Sequence, residues 1–365
     1  MSIQSTRRPG RARPALSRRA VLAGTAAGAV GLSLAACGKS KKSASKADSK
    51  TVTVVTHDSF HVSDDLQKAF TSETGYTLKI ATSGDAGALV NKLVLTKDAP
   101  LGDAVFGIDN TYATRALDQG VIDTSATVTL PKGAESYVVA DTPALAPIDV
   151  GDVCLNIDTG YFTGKGLTPP ATFEDLTKPE YKGLLVAINP TNSSPGMAWL
   201  LATIGHFGAG SFAGYWKQLM ANGARIAEDW SAAYETDFSG SGKGTYPIVV
   251  SYASSPSFTV SKDKSSSSTS ALLDTAFRQV EYAGVLKGAA NPEGGKAFVT
   301  WMLSKAVQED IPGQMYMYPV LPDAALPEAL TKFGPLSSAP VSVEPKEITA
   351  HREEWLNTWT GAVGK

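Results

Sequence analysis

Three loops in the first third of the chain place carboxylates and hydroxyls directly after short apolar, β-branched runs. Asp58-Ser59-Phe60 follows residues 51–56, Ser83-Gly84-Asp85 follows 76–81, and Asp109-Asn110 follows 103–107. Carboxylates in such places either cap turns and helices or neutralise a bound cation. Two later clusters, Asn192-Ser193-Ser194-Pro195 and Ser254-Ser255-Pro256, each offer a serine cap and a proline at the first helical position. The free N–H groups at such a start suit a phosphate or a hydroxyl. Asp229-Trp230-Ser231-Ala232-Ala233-Tyr234 adds a large aromatic whose ring face attracts cations. This is the chemistry of holding a small molecule, not of transforming one.

Signatures of catalysis and metal binding are weak beside it. His57, His61, His206 and His351 are scattered. His57 and His61 straddle a strand end and a loop, where a spacing of four does not align side chains as it does on a helix. Gly240-Ser241-Gly242-Lys243-Gly244-Thr245 resembles a phosphate loop but fails its pattern. Asp237 stands at the first glycine position and Gly244 where a hydroxyl residue is needed. No G-x-S-x-G elbow occurs. No cofactor and no metal are expected, and the chain is read as a non-enzyme.

The elements that must position these loops follow a βαβ rhythm. Residues 51–56, 76–81 and 103–107 read as strands. Residues 64–70 and 86–95 carry apolar residues at helical spacing, and Gly75 stops the first helix. Further strands are expected at 153–157, after Pro143 and Pro147, and at 246–251. Helices are expected at 292–307 and 345–360, with a loop at 265–268. Strands alternating with helices indicate an α/β fold with a mostly parallel sheet, whose ligand loops gather at the carboxyl ends of the strands. Cys154, in the apolar run Val153-Cys154-Leu155, reads as a buried and inert thiol.

The N-terminus addresses the chain outside the cytoplasm. Six arginines between Arg7 and Arg19 precede a short apolar run that ends in Leu34-Ala35-Ala36-Cys37. This is a lipoprotein signal over residues 1–36, with Cys37 as the lipidated residue. Ser17-Arg18-Arg19 matches a twin-arginine export start. Residues 37–50, rich in lysine and serine, read as a flexible tether near an anionic bilayer. The whole chain has a net charge of −2, and losing six arginines with no acid leaves about −8, which argues against nucleic acid as a partner.

The loops also carry a family resemblance. Thr56-His57-Asp58-Ser59-Phe60, Gly107-Ile108-Asp109-Asn110, residues 189–196, residues 229–234, Ser251-Tyr252-Ala253-Ser254-Ser255-Pro256 and Tyr316-Met317-Tyr318-Pro319-Val320 recur in this order in the thiamine-binding proteins of bacterial ABC importers. The chain resembles that family over essentially residues 51–362. The resemblance implies a type II, two-lobed solute-binding fold, with lobe one formed by 51–148 plus 281–365 and lobe two by 149–280. Thiamine or its phosphate esters would lie in the cleft, for delivery to a membrane permease by a monomer lipid-anchored on the extracytoplasmic face. It implies Gly84 and Asp85 as lobe-one contacts, with Ser193 and Ser194 at the phosphate or hydroxyl end. Trp230, Tyr252, Ala253, Ser254 and Ser255 would complete lobe two's share. His57 and Phe258 stand at positions where the family has tyrosine, and Tyr316 where it has tryptophan, while Asp58 is a further candidate counter-charge. A family tryptophan after the Asp-Ser-Phe motif has no counterpart. The nearest alternative is the same fold with ferric iron, through Tyr316 and Tyr318, or with a polyamine. A hydrolase using His57, Asp58 and a serine is a weaker one, because adjacent residues on a strand point apart.

Overall fold

In the computed structural model residues 50–241 and 243–364 are described. The signal segment 1–36, Cys37 and all of the tether except Lys50 lie outside the described residues. The first elements are β1 (Thr51–Thr56), α1 (Asp64–Thr74), β2 (Thr77–Thr82), α2 (Ala86–Leu95), β3 (Ala104–Asp109) and α3 (Ala113–Asp118). β1 pairs in parallel with both β2 and β3, with helices α1 and α2 making the crossover connections. Gly75 ends α1 with φ +73°, in the left-handed region where glycine is favoured.

The chain then enters β4 (Leu145–Asp158) and continues through α4 (Thr159–Lys165), β5 (Leu185–Ile188), α5 (Ser194–Phe207), α6 (Phe212–Ala221), β6 (Arg225–Ala227) and β7 (Ile248–Tyr252). The 17-residue strand β8 (Thr269–Val285) runs back across the molecule. It is followed by α7 (Pro292–Met302), α8 (Lys305–Gln314), β9 (Tyr318–Pro319), α9 (Glu328–Phe333) and α10 (Pro345–Val363).

Among the described residues nine strands form one curled mixed sheet, ordered β2-β1-β3-β8-β4-β7-β5-β6, with β9 on β4. One half is the parallel set β2-β1-β3, and the other is the parallel set β7-β5-β6. Between them β8 and β4 run antiparallel to each other over most of their length. The fold is α/β, two-lobed and of type II. Every described element lies in one compact unit.

Several expectations need correction. The strand expected at 153–157 begins at Leu145 and includes Pro147. Proline is tolerated there because the β4–β8 register shifts between Pro147 and Asp149. The helix expected at 292–307 is two helices, broken at Leu303 and Ser304. Ser255–Phe258 is one 3₁₀ turn and not a helix start. Pro195 takes the second helical position of α5, since the capping residue is Ser193.

One large apolar core joins residues from both halves of the sheet, with a small second cluster at Cys154, Ala253 and Ala276. Trp199 meets Trp216 edge-on at 5.1 Å, and Trp216 meets Trp359 of α10 at 5.6 Å. Further along α10, the Arg352 guanidinium lies 3.6 Å from the centre of the Tyr112 ring and donates to the Thr111 carbonyl. The last helix is therefore tied to both halves of the sheet. Cys154 is fully buried and burial pushes its thiol pKa up, so it is held as a neutral thiol.

Candidate functional site

On the β1–β3 side the site is built by tight turns at the carboxyl ends of parallel strands. His57 continues β1, and its ring lies against the backbone of Gly107 in β3. A Cβ on Gly107 would fall 2.0 Å from His57 Cδ2, and its φ of +94° is one that other residues rarely adopt. Phe60 packs back on Phe106 at 5.0 Å, which fixes the loop carrying Asp58 and Ser59. Gly84 turns the chain at φ +77°, and its carbonyl accepts from Asp58 N–H. Asp85 then caps α2, accepting from Ala86 N at 2.6 Å.

The β5–β7 side is a hydrogen-bonded wall. Trp230 Nε1 donates to Ser251 Oγ at 3.0 Å, and Ser251 shares a 2.9 Å hydrogen bond with Ser255 Oγ. Ser255 also accepts from Tyr252 N, while the Tyr252 hydroxyl donates to Gln279 Oε1 at 3.3 Å. The indole of Trp230 stacks on Tyr234 with ring centroids 5.1 Å apart and only 10° between planes. A buried indole N–H needs a partner, and this one has it, so Trp230 is held by Ser251 and Tyr234 where it lines the cavity.

The two sides meet. Ser194 N donates to Asp85 Oδ1 at 3.1 Å, Ala88 N to the Asn192 carbonyl at 3.2 Å, and the Tyr112 hydroxyl to the Pro190 carbonyl at 3.1 Å. A Cβ on Gly87 would come within 2.6 Å of the Asn192 oxygen, so only glycine permits this approach. Between the two sides lies a cavity of about 360 Å³, within the range of small-molecule sites.

Eight of the expected residues line this cavity: His57, Asp58, Asp85, Ser194, Trp230, Tyr252, Ser255 and Tyr316. Phe258 lines an adjoining chamber of about 260 Å³ with Trp230, Tyr234 and Tyr316. Gly84, Ser193, Ala253 and Ser254 are not on the cavity wall. Gly84 makes the turn, Ser193 caps α5 by accepting from Gly196 N, and Ala253 is buried with its N–H on the Asp152 carbonyl. Ser254 is buried in the 3₁₀ turn, its carbonyl accepting from Ser257.

Charge is unevenly distributed. Asp58, Asp85, Asp229, Glu235 and Glu281 line the cavity, against His57 as its one titratable base among the described residues. Burial raises the Asp85 pKa, and hydrogen bonds from Ser193, Ser194 N and Ala86 N oppose that rise. Its carboxylate occupies the start of α5, the place where the sequence led us to expect a phosphate or a hydroxyl. For His57, burial lowers the pKa, but the Glu281 carboxylate 3.3 Å away, helped by Asp85 and Asp58, makes the net shift upward. Asp149, directly opposite Glu281 on the β4–β8 ladder, is raised well above the carboxylate range by burial and by Glu281.

Glu281 is the residue that sequence reasoning missed. It sits in the apolar run Val280-Glu281-Tyr282-Ala283, and a lone acid in such a run was the available signal. Asp109 and Asn110 are structural. Asp109 Oδ1 accepts from Thr111 N, Thr111 Oγ1 and Tyr112 N, while Asn110 clips β8 through the Arg278 carbonyl and Val280 N. Tyr316 and Tyr318 do not converge as a ferric pair, because the Tyr318 hydroxyl donates to the Leu330 and Gly334 carbonyls. Among the described residues no group of three His, Cys, Asp or Glu side chains is placed to hold a metal ion. None of their helices is long and apolar enough to cross a membrane.

The chain is 27% identical to the thiamine-binding periplasmic protein of Salmonella typhimurium over 326 residues, covering 86% of this chain and 94% of the relative. Identity is also 27% to the protein of the same name from Escherichia coli, with the same coverage. A solved periplasmic thiamin binding protein superposes with a TM-score of 0.75 at 25% identity, covering 86% of this chain and 96% of that structure. Residues 103–333 match the family model described as bacterial extracellular solute-binding protein, and the chain belongs to that family.

Proposed function

We propose that this protein is the substrate-binding component of an ABC importer and that it encloses thiamine between two lobes. The observation that carries this reading is the acid-lined cavity with Trp230 on its wall. Thiamine is a flat aminopyrimidine joined to a cationic thiazolium. Aromatic faces and carboxylates are the groups that would bind such a cation. Similarity to thiamine-binding periplasmic proteins supports this reading. Lobe one is residues 51–148 with 281–365 and lobe two is 149–280, hinged where β4 and β8 cross. Closure is driven by ligand contacts to both lobes.

The protein is exported with its twin arginines read as a folded-protein signal, and Cys37 carries the lipid that anchors it outside the cytoplasmic membrane. It works as a monomer, has no catalytic role, and passes its cargo to a membrane permease. Calorimetric titration of residues 46–365 with thiamine and its mono- and diphosphate tests the reading. Saturable one-to-one binding at micromolar affinity or better is expected. Equal or tighter binding of the phosphates would mean that Asp85 yields the α5 start to a phosphate. No heat and no thermal shift with any of the three would leave the fold but remove the cargo.

A further inference from the structure

Glu281 lies toward the C-terminal end of β8, one of the two strands that join the halves of the sheet. It is 5% exposed, and that small exposure opens into the cavity. Two groups face its carboxylate most closely. His57 Nε2, from the end of β1, is 3.3 Å from Glu281 Oε1 and is 7% exposed. Asp149, from β4, is fully buried, and among the described residues neither of its oxygens takes a hydrogen bond from a backbone or side-chain donor. Such an acid is neutral or it is strongly destabilising, so the negative charge of the pair resides on Glu281.

A buried carboxylate needs a cation beside it. The charges around the pair come from every element packed against it. Asp58 and Asp85 face His57 from its own loop and from the start of α2, while Asp109 and the Tyr252 hydroxyl approach Glu281 from β3 and β7. All of these are acids. Within the cavity the imidazole alone among the described side chains can supply positive charge.

We propose that Glu281 is the counter-ion for the ligand's positive charge, and that protonated His57 fills that role while the cavity is without ligand. This rests on the thiamine reading above and specifies its electrostatics. An imidazolium and a thiazolium would repel each other in a cavity of about 360 Å³. When the cationic ligand enters, His57 gives up its proton to solvent and becomes a neutral ring against Gly107. One positive charge arrives and one leaves as the proton, so the charge inside the cleft is unchanged. The protein then prefers a fixed cation to a neutral analogue of the same shape, because only the cation can replace the proton.

The test is proton-linked calorimetry of residues 46–365 with thiamine, from pH 6.0 to 8.5, in two buffers of different ionisation enthalpy. Release of up to one proton per thiamine is expected at the acid end, falling toward zero as His57 loses its proton in the free protein. Affinity should rise by up to about tenfold per pH unit at the acid end and flatten above the His57 titration. His57→Gln should bind thiamine with no proton release and no such slope. Glu281→Gln should bind at least tenfold more weakly, again without a slope. Thiamine binding to the unsubstituted protein with no proton exchange and a flat pH profile would overturn this inference while leaving the thiamine reading intact. Absence of thiamine binding at every pH would overturn both.

Discussion

The two walls of the cleft are made in different ways. The wall built from β1, β2 and β3 is a set of tight turns holding charged groups, with Gly84 making a positive-φ turn and glycines at 87 and 107 allowing close approach. The wall built from β5 and β7 is a chain of hydroxyls and aromatics that satisfy one another, from Trp230 through Ser251 and Ser255 to Tyr252. The first wall is poised, because its charges depend on what else occupies the cavity. The second is preformed, because its groups already have their partners. Recognition thus combines a rigid platform with a responsive electrostatic face.

Breaking the platform should have the largest effect. Trp230→Ala removes the stacked indole and leaves Ser251 without its donor, and should weaken thiamine binding by well over tenfold (at least ~1.4 kcal/mol). Calorimetry reads it, and an unchanged dissociation constant would remove Trp230 from the site. On the opposite wall, Gly107→Ala places a methyl on the His57 ring at a positive φ. It should lower stability by roughly 1–3 kcal/mol, measured as a shift in the denaturant midpoint. A thermally neutral variant would mean that the ring is free to move.

Two smaller changes sharpen the comparison. Tyr112→Phe deletes the hydrogen bond to the Pro190 carbonyl that holds the walls together, and should cost about 1 kcal/mol of closure. Small-angle scattering should then show a more open ligand-free form, and faster thiamine release should accompany it. Asp109→Asn probes the charged side alone. Burial pushes the Asp109 carboxyl up to about 7, with Glu281 adding to the rise and hydrogen bonds from Thr111 opposing it. The folded protein therefore keeps a proton that the unfolded chain has lost. Its stabilising contribution is full below about pH 4 and is lost as pH rises through about 7. The asparagine variant should show a flatter stability profile across that window, checked by chemical denaturation at each pH.

Local signals in the sequence foretold the parts of this structure that depend on local signals. Residues 86–95 read as a helix and form one over those residues, because Asp85 caps it and Leu89, Val90 and Leu93 share a buried face. Gly75 stops α1 because the left-handed turn there suits glycine. The serine-proline pairs were less legible. Ser193 caps a 14-residue helix, whereas Ser254 opens only a single 3₁₀ turn, and the two segments look alike until the packing around them is known. Pro147 read as a strand boundary, yet a register shift on β8 lets β4 run through it. Such a partner lies more than a hundred residues away. Glu281 was hidden for the same reason. Its meaning comes from Asp149 across the ladder and His57 from another strand, and neither is near it in sequence. That Asp85 occupies the α5 start was also beyond local reading, since it depends on how closely the two walls approach.

The most direct test is a crystal structure of residues 46–365 grown with thiamine. The account predicts one molecule in the cleft, a ring stacked on Trp230 and the thiazolium within about 4–6 Å of the Glu281 carboxylate. A cleft that stays empty at saturating thiamine, or a molecule bound away from both Trp230 and Glu281, would contradict it.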